Sequence, residues 1–151
     1  MKKLLFVCYG NICRSPMAEF VMKDLVQKYG VAEEFEIASA ATSNEEIGNP
    51  VYPPAKKNLA EHGITCNGKT ARRLSVADYA EYDLIIGMDN GNMRDIRRLF
   101  GGDPDRKLRL LMDFSNRPGE VADPWYTRDF DATWHDVQEG CRGILRYFGY
   151  N

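Results

Sequence analysis

Cys8 and Arg14 are separated by five residues in the stretch Cys8-Tyr9-Gly10-Asn11-Ile12-Cys13-Arg14-Ser15. A thiol and a guanidinium at that spacing suit nucleophilic attack on a captured oxyanion. Gly10 and Asn11 tolerate left-handed backbone angles, so a loop of this length is expected to curl until successive N–H groups point inward as an anion nest. A helix starting at the end of the loop adds its positive terminus. Arg14 then closes over the nest and grips two phosphate oxygens with its planar fork, which lysine does not reproduce. A thiol at the floor feels the same field as the anion, and that field favours the reactive thiolate. Cys8 is thus read as a nucleophile preformed under a phosphoryl group, attacking in line to give phosphocysteine, with Ser15 donating a hydrogen bond to its sulfur. A lone cysteine at a strand end is more often packing. The Gly-Asn turn and the Ser15-Pro16 helix start are what favour the catalytic reading.

These residues need a scaffold, and the flanking sequence supplies one. Leu4 to Val7 is a short continuous apolar run, as expected of a strand buried on both faces. From Ser15, read as an N-cap with Pro16 at the first helical position, Ala18, Val21, Met22, Leu25, Val26 and Tyr29 repeat at helical spacing up to Gly30. Further strands are expected at Phe35–Ser39, Asp83–Met88 and Lys107–Met112. Helices are expected at Ala55–Glu61, ended by Gly63, and at Asn92–Leu99. In the last helix Phe130, Trp134, Val137, Cys141, Ile144 and Phe148 follow one face. Strands alternating with helices predict one α/β domain spanning residues 1–151, a Rossmann-like or flavodoxin-like four-stranded parallel sheet flanked by helices on both faces. Ligands bind such sheets at the carboxyl ends of strands, where Cys8 to Ser15 falls.

Composition excludes several classes of function. The 151 residues carry 20 Lys and Arg against 22 Asp and Glu, a formal charge of -2. That balance offers no global basic field for nucleic acid or anionic lipid, so any anion site is local. The apolar run before Cys8 is shorter than an export signal requires, and no run approaches a membrane span. Four cysteines, at 8, 13, 66 and 141, fit neither a disulfide scaffold nor a paired zinc pattern. Reduced thiols in a cytoplasm are expected. The loop also lacks the glycine patterns of nucleotide-binding folds.

The run Val7-Cys8-Tyr9-Gly10-Asn11-Ile12-Cys13-Arg14-Ser15-Pro16 resembles the signature of the low-molecular-weight protein tyrosine phosphatases. The resemblance continues through Ser39-Ala40-Ala41-Thr42, Met88-Asp89 and Asp123-Pro124-Trp125-Tyr126. It implies hydrolysis of phosphotyrosine in proteins without a metal or cofactor, inhibition by phosphate and other oxyanions at the loop, and a monomer or weak dimer. It also implies that Asp123 is the general acid, protonating the tyrosine oxygen and then taking a proton from the water that hydrolyses phosphocysteine. Asn11 and Ser39 match family positions that brace the loop by hydrogen bonds. Relatives acting on arginine phosphate have Thr where this chain has Ile12, so the resemblance favours tyrosine.

Trp125 and Tyr126 beside the acid, with Tyr9 on the loop, suit the wall of a slot deep enough to select an aromatic ester. Trp125 replaces the more usual Tyr, and Tyr9 an aliphatic residue. In a curled loop the Cys13 sulfur is expected near that of Cys8, and the family implies a reversible disulfide that protects the nucleophile from over-oxidation; a small buried side chain is the plainer alternative. Cys66 and Cys141 read as structural, and His62 and His135 have no evident partner. Rival readings are a thiol-dependent arsenate reductase, which needs closely spaced relay cysteines, an arginine phosphatase, and a non-catalytic phosphopeptide-binding or redox-sensing module.

Overall fold

The computed structural model describes residues 1–150. Four parallel strands, β1 (Lys2–Cys8), β2 (Phe35–Ala41), β3 (Leu84–Gly87) and β4 (Leu108–Leu110), form one sheet in the order β2-β1-β3-β4. The helices are α1 (Arg14–Lys28), α2 (Pro53–Glu61), α3 (Asp78–Glu81), α4 (Asn90–Phe100), α5 (Pro124–Thr127) and α6 (Phe130–Tyr147). Short 3-10 turns cover Ala32–Glu34 and Leu111–Phe114. None of these helices is long and apolar enough to cross a membrane.

β1 explains why an unbroken apolar run makes a strand here. Leu4, Leu5, Phe6 and Val7 are each 0% exposed, and successive side chains serve opposite faces. Leu4 and Phe6 pack with Met17, Val21, Leu59, Val137 and Ile144 from α1, α2 and α6. Leu5 and Val7 pack instead with Leu74, Ile85 and Ile96. Each fully buried side chain contributes roughly 1.5–3 kcal/mol, so β1 is held from both sides and its end is a fixed point.

The expected elements are all present, with shifted boundaries. β2 runs two residues beyond Ser39 to Ala41. β4 is shorter than Lys107–Met112, because Leu111 and Met112 turn into the 3-10 segment. The largest correction concerns α1. It begins at Arg14 after Cys13, and no side chain caps it, so Ser15 is not the N-cap and Pro16 is not its first residue. α4 carries a reciprocal capping box between Asp89 and Asn92, and it starts where β3 ends. The loops after β1 and β3 lead to helices on opposite faces, which opens a crevice between them.

Candidate active site

Cys8 lies at the carboxyl end of β1, and the residue is 4% exposed. Backbone N–H groups of Asn11 and Ser15 donate to it at 3.3 and 3.4 Å. The Ser15 hydroxyl stands 3.0 Å away. That oxygen also accepts from Asn11 Nδ2 at 2.8 Å, which leaves its own proton directed at the sulfur. Ser15 does not cap the helix because its hydroxyl is engaged here. The left-handed angle of the loop falls on Asn11 alone, with φ of 59°, and Gly10 does not share it. Gly10 runs close beside Glu46: a Cβ there would touch Glu46 Cγ at 3.4 Å.

Asn11 is strapped on every polar atom of its side chain. Nδ2 donates to Ser39 Oγ at 2.9 Å as well as to Ser15, and Oδ1 accepts from the Arg72 N–H at 3.2 Å. Ser39 in turn donates to Glu19, whose carboxylate also holds Lys23 at 2.6 Å and Lys69 at 3.3 Å. Glu19 is buried on α1. Burial pushes the Lys69 ammonium below its ordinary value, against the pull of Glu19. Lys69 also donates to the Ser39 carbonyl at 3.1 Å. A chain of polar contacts therefore runs from the Cys8 sulfur through Ser15, Asn11 and Ser39 to a buried ion pair. Its effect is rigidity in the loop.

Arg14 is buried at the start of α1. Nη1 donates to Asp89 Oδ2 and to the Val121 carbonyl, both at 2.8 Å, while Nη2 lies 3.5 Å from Asp123 Oδ2. Burial would lower its affinity for the proton, but the charges of Cys8, Asp123 and Asp89 outweigh that and raise it. The guanidinium remains a fixed cation. The other oxygen of Asp123 accepts from the Trp125 N–H at 3.0 Å and so caps the four-residue α5.

Cys8, Arg14 and Asp123 line one cavity of about 600 Å³. Tyr9, Gly10, Ile12, Cys13, Trp125 and Tyr126 share its wall, as do Glu45 and Glu46. Tyr9, Trp125 and Tyr126 are exposed at the mouth. Asn11, Ser15 and Ser39 lie behind the wall as supports. Cys13 is buried, and burial, with the charges of Cys8 and Asp123, pushes its thiol up to about 12. It is a neutral thiol at physiological pH. Cys66 and Cys141 are buried, and Cys141 Sγ donates to the Ala18 carbonyl at 3.7 Å. His62 does have a partner: its ring stacks on Trp134 with centroids 3.6 Å apart.

Sequence reasoning missed Asp89, Glu19 and Lys69 as parts of the site. Glu19 left a signal, since it follows Ser15 by four residues and falls among the apolar positions of α1. A carboxylate there must find a buried partner. Asp89 stood only in the Met88-Asp89 stretch of the family resemblance, with no role assigned to it. Lys69 carried no local signal, because tertiary packing alone brings it to the site.

Comparison with known proteins follows the same lines. A family model described as low molecular weight phosphotyrosine protein phosphatase matches residues 3–149. The Bacillus subtilis low molecular weight protein-tyrosine-phosphatase YfkJ is 35% identical over 147 residues, covering 96% of this chain and 94% of its own. Its crystal structure superposes with a TM-score of 0.95, covering 98% of this chain and 94% of that one. The Streptococcus pyogenes low molecular weight protein tyrosine phosphatase, 40% identical, superposes with a TM-score of 0.88 over 97% and 93% of the two chains. The human low molecular weight phosphotyrosine protein phosphatase is 36% identical over 149 residues, covering 95% of this chain and 94% of its own.

Proposed function

The chain belongs to the low molecular weight phosphotyrosine protein phosphatase family, and from that premise we propose that Cys8, Arg14 and Asp123 carry out phosphotyrosine hydrolysis in two steps. In the first, loop N–H groups and Arg14 hold the phosphoryl oxygens. The Cys8 thiolate attacks phosphorus opposite the aryl oxygen. As the S–P bond forms and the P–O bond breaks, the Asp123 carboxyl gives its proton to the departing phenolate. In the second, the Asp123 carboxylate takes a proton from water, the resulting hydroxide attacks phosphorus, and the S–P bond breaks to release phosphate and thiolate. The charge on the transferred group is met throughout by fixed donors, so little reorganisation accompanies either step.

The observation that carries this reading is the surroundings of the Cys8 sulfur. Three donors converge on it, at 3.3 and 3.4 Å from backbone N–H groups and 3.0 Å from the Ser15 hydroxyl, in a cavity it shares with Arg14 and Asp123. Tyr9, Trp125 and Tyr126 at the mouth suit an aromatic ester better than an alkyl one, and Ile12 disfavours arginine phosphate. Asn11 and Ser39 act as loop supports. Cys13 is the partner in a reversible disulfide with Cys8, formed by an oxidant such as peroxide and opened by thiols. The whole of residues 1–151 works as one catalytic domain, a monomer or weak dimer. Four thiols without disulfides favour a reducing cytoplasm as its place of action. Phosphate and similar oxyanions compete for the loop.

The test is turnover of phosphotyrosine, phosphoserine and phosphoarginine peptides by one preparation. The phosphotyrosine peptide should be hydrolysed fastest, in the presence of EDTA, and vanadate should block the reaction. Cys8→Ser should abolish turnover, and Arg14→Lys should nearly do so. Dependence on added metal, or turnover surviving Cys8→Ser, overturns the mechanism.

A further inference from the structure

Asp123 sits on a segment with few ties to the rest of the protein. Among the described residues, the stretch from 122 to 128 makes side-chain hydrogen bonds to distant parts of the chain at two points. One is Asp123 on Arg14, at 3.5 Å, and the other is Arg128 on Tyr52. The second lies outside the cavity that holds the reacting groups, yet it joins the segment of Asp123 to Tyr52, which is tied to the loop of Cys8.

We propose that Tyr52 and Arg128 form a clamp that sets the position of the Asp123 carboxyl against the phosphate loop, making both of them positioning residues for proton transfer to the leaving group. The inference rests on the reading of Asp123 as the acid. Tyr52 is fixed to the phosphate loop, because its N–H donates to the Ile12 carbonyl at 2.9 Å. Its ring lies 4.9 Å from that of Trp125 and 6.2 Å from that of Phe130. Arg128 Nη1 donates to the Tyr52 hydroxyl at 2.8 Å, and its guanidinium stands 5.3 Å from the Trp125 ring and 5.8 Å from the Tyr52 ring.

The clamp transmits to the acid through one further bond. Trp125 N–H donates to Asp123 Oδ1 at 3.0 Å, so fixing the tryptophan fixes one carboxyl oxygen and aims the other. Arg128 holds a left-handed backbone with φ of 60° where the segment turns into α6. A non-glycine residue keeps such an angle only where its surroundings impose it, and here the hydroxyl and two ring faces do so. A proton donor must lie within hydrogen-bond reach of the leaving oxygen, and a displacement near 1 Å can cost about a hundredfold.

The experiment compares kcat/KM on a phosphotyrosine peptide and on 4-nitrophenyl phosphate, whose acidic phenol leaves with little help. This quantity counts only steps up to departure of the leaving group, where the proton is delivered. Asp123→Ala calibrates the assay and should depress the peptide at least about a hundredfold, the nitrophenyl ester far less. Tyr52→Ala should shift the ratio of the two in the same direction by about tenfold. Tyr52→Phe, losing the one hydrogen bond, should shift it several-fold; Arg128→Gln, which loses that bond and the cation over the two rings, should shift it at least as much, and combining them should add nothing beyond Arg128→Gln. Inhibition by inorganic phosphate should stay within about twofold of the parent in all clamp variants, since the nest is untouched.

Equal slowing of both substrates, or weakened phosphate binding in step with slower turnover, would reduce the clamp to ordinary packing. Should Tyr52→Ala not fold, Tyr52→Phe and Arg128→Gln decide the matter between them. If Asp123→Ala slows both substrates alike, the acid assignment fails and takes the clamp with it. If Asp123→Ala separates the substrates and the clamp variants do not, only the clamp falls.

Discussion

Arg14 and Asp89 meet across the crevice between β1 and β3, with Nη1 donating to Oδ2 at 2.8 Å. Each stands at the beginning of the element that follows its strand, so this one contact ties the loop after β1 to the loop after β3. Asp89 also caps α4, accepting from the Asn92 N–H at 2.7 Å. The two duties are separable, because asparagine caps a helix about as well as aspartate.

Asp89→Asn should therefore leave α4 intact and release Arg14 from its anionic partner. A hydrogen bond to a charged group contributes about 1.5–3 kcal/mol. The expected loss in kcat/KM is tenfold to about a hundredfold, with weaker inhibition by inorganic phosphate. Asp89→Ala should lose about 1 kcal/mol more in denaturant unfolding, for the missing cap. Unchanged kinetics in Asp89→Asn would mean that the Val121 carbonyl alone is enough to orient the guanidinium.

Asn11 joins a left-handed backbone to a side chain with no free polar atom. Asn11→Gly keeps the backbone freedom, removes one donor each from Ser15 and Ser39 and orphans the Arg72 N–H, at a cost of about 2 kcal/mol or more. Asn11→Ala adds the strain of a Cβ at positive φ, about 1 kcal/mol further. Urea midpoints of the two variants measure that difference. Equal midpoints would show that backbone angle is not what the asparagine supplies.

The sequence made legible whatever depends on local pattern. The run from Leu4 to Val7 reads as a doubly buried strand because its four side chains need no polar face. The stripe from Trp134 to Ile144 reads as a helix because its period suits only one. Cys8, Arg14 and Ser15 were legible as chemistry for the same reason, being close in the chain. Errors entered where tertiary contacts override local preference. Ser15 has the composition of a cap but spends its hydroxyl on Cys8 and Asn11. α3 and α5, of four residues each, are too short to show a period. Asp89 and Lys69 reach the site from two separate segments, and pairing of that kind leaves no trace in spacing.

Alkaline pH should expose the burial of Cys13. Its thiol is pushed from 9.0 to about 12, chiefly by burial. The unfolded chain therefore gives up this proton first, and the stability it represents is complete below about pH 9 and lost as pH rises toward 12. Burial pushes Cys141 in the same direction. Lys69, pushed down, has the opposite sign and gains stability as pH rises. Above about pH 9 the loss of stability in the wild type relative to Cys13→Ala should steepen toward about 1.4 kcal/mol per pH unit near pH 10 to 10.5. Parallel curves of unfolding free energy against pH would show that the thiol is not buried as described.

Gly143 sets how closely α6 approaches the 3-10 turn Leu111–Phe114 that follows β4. A glycine inside a helix costs about 1 kcal/mol against alanine, and α6 contains both Gly140 and Gly143. A Cβ at 140 would meet the buried Leu111 side chain at 2.5 Å and its carbonyl oxygen at 3.2 Å, whereas a Cβ at 143 would land on the backbone carbonyl of Phe114 itself, which cannot give way. Helix propensity alone would make both alanine substitutions stabilising. The contacts reverse that at Gly143: Gly143→Ala should destabilise by about 3 kcal/mol or more as α6 is forced outward, and Gly140→Ala by clearly less. Because α6 packs against α1, which carries Arg14 and Ser15, Gly143→Ala should also slow turnover at temperatures well below its own melting point. Thermal unfolding of the two variants beside the parent measures the order, and a Gly143→Ala protein as stable as the parent would mean that α6 can shift without cost.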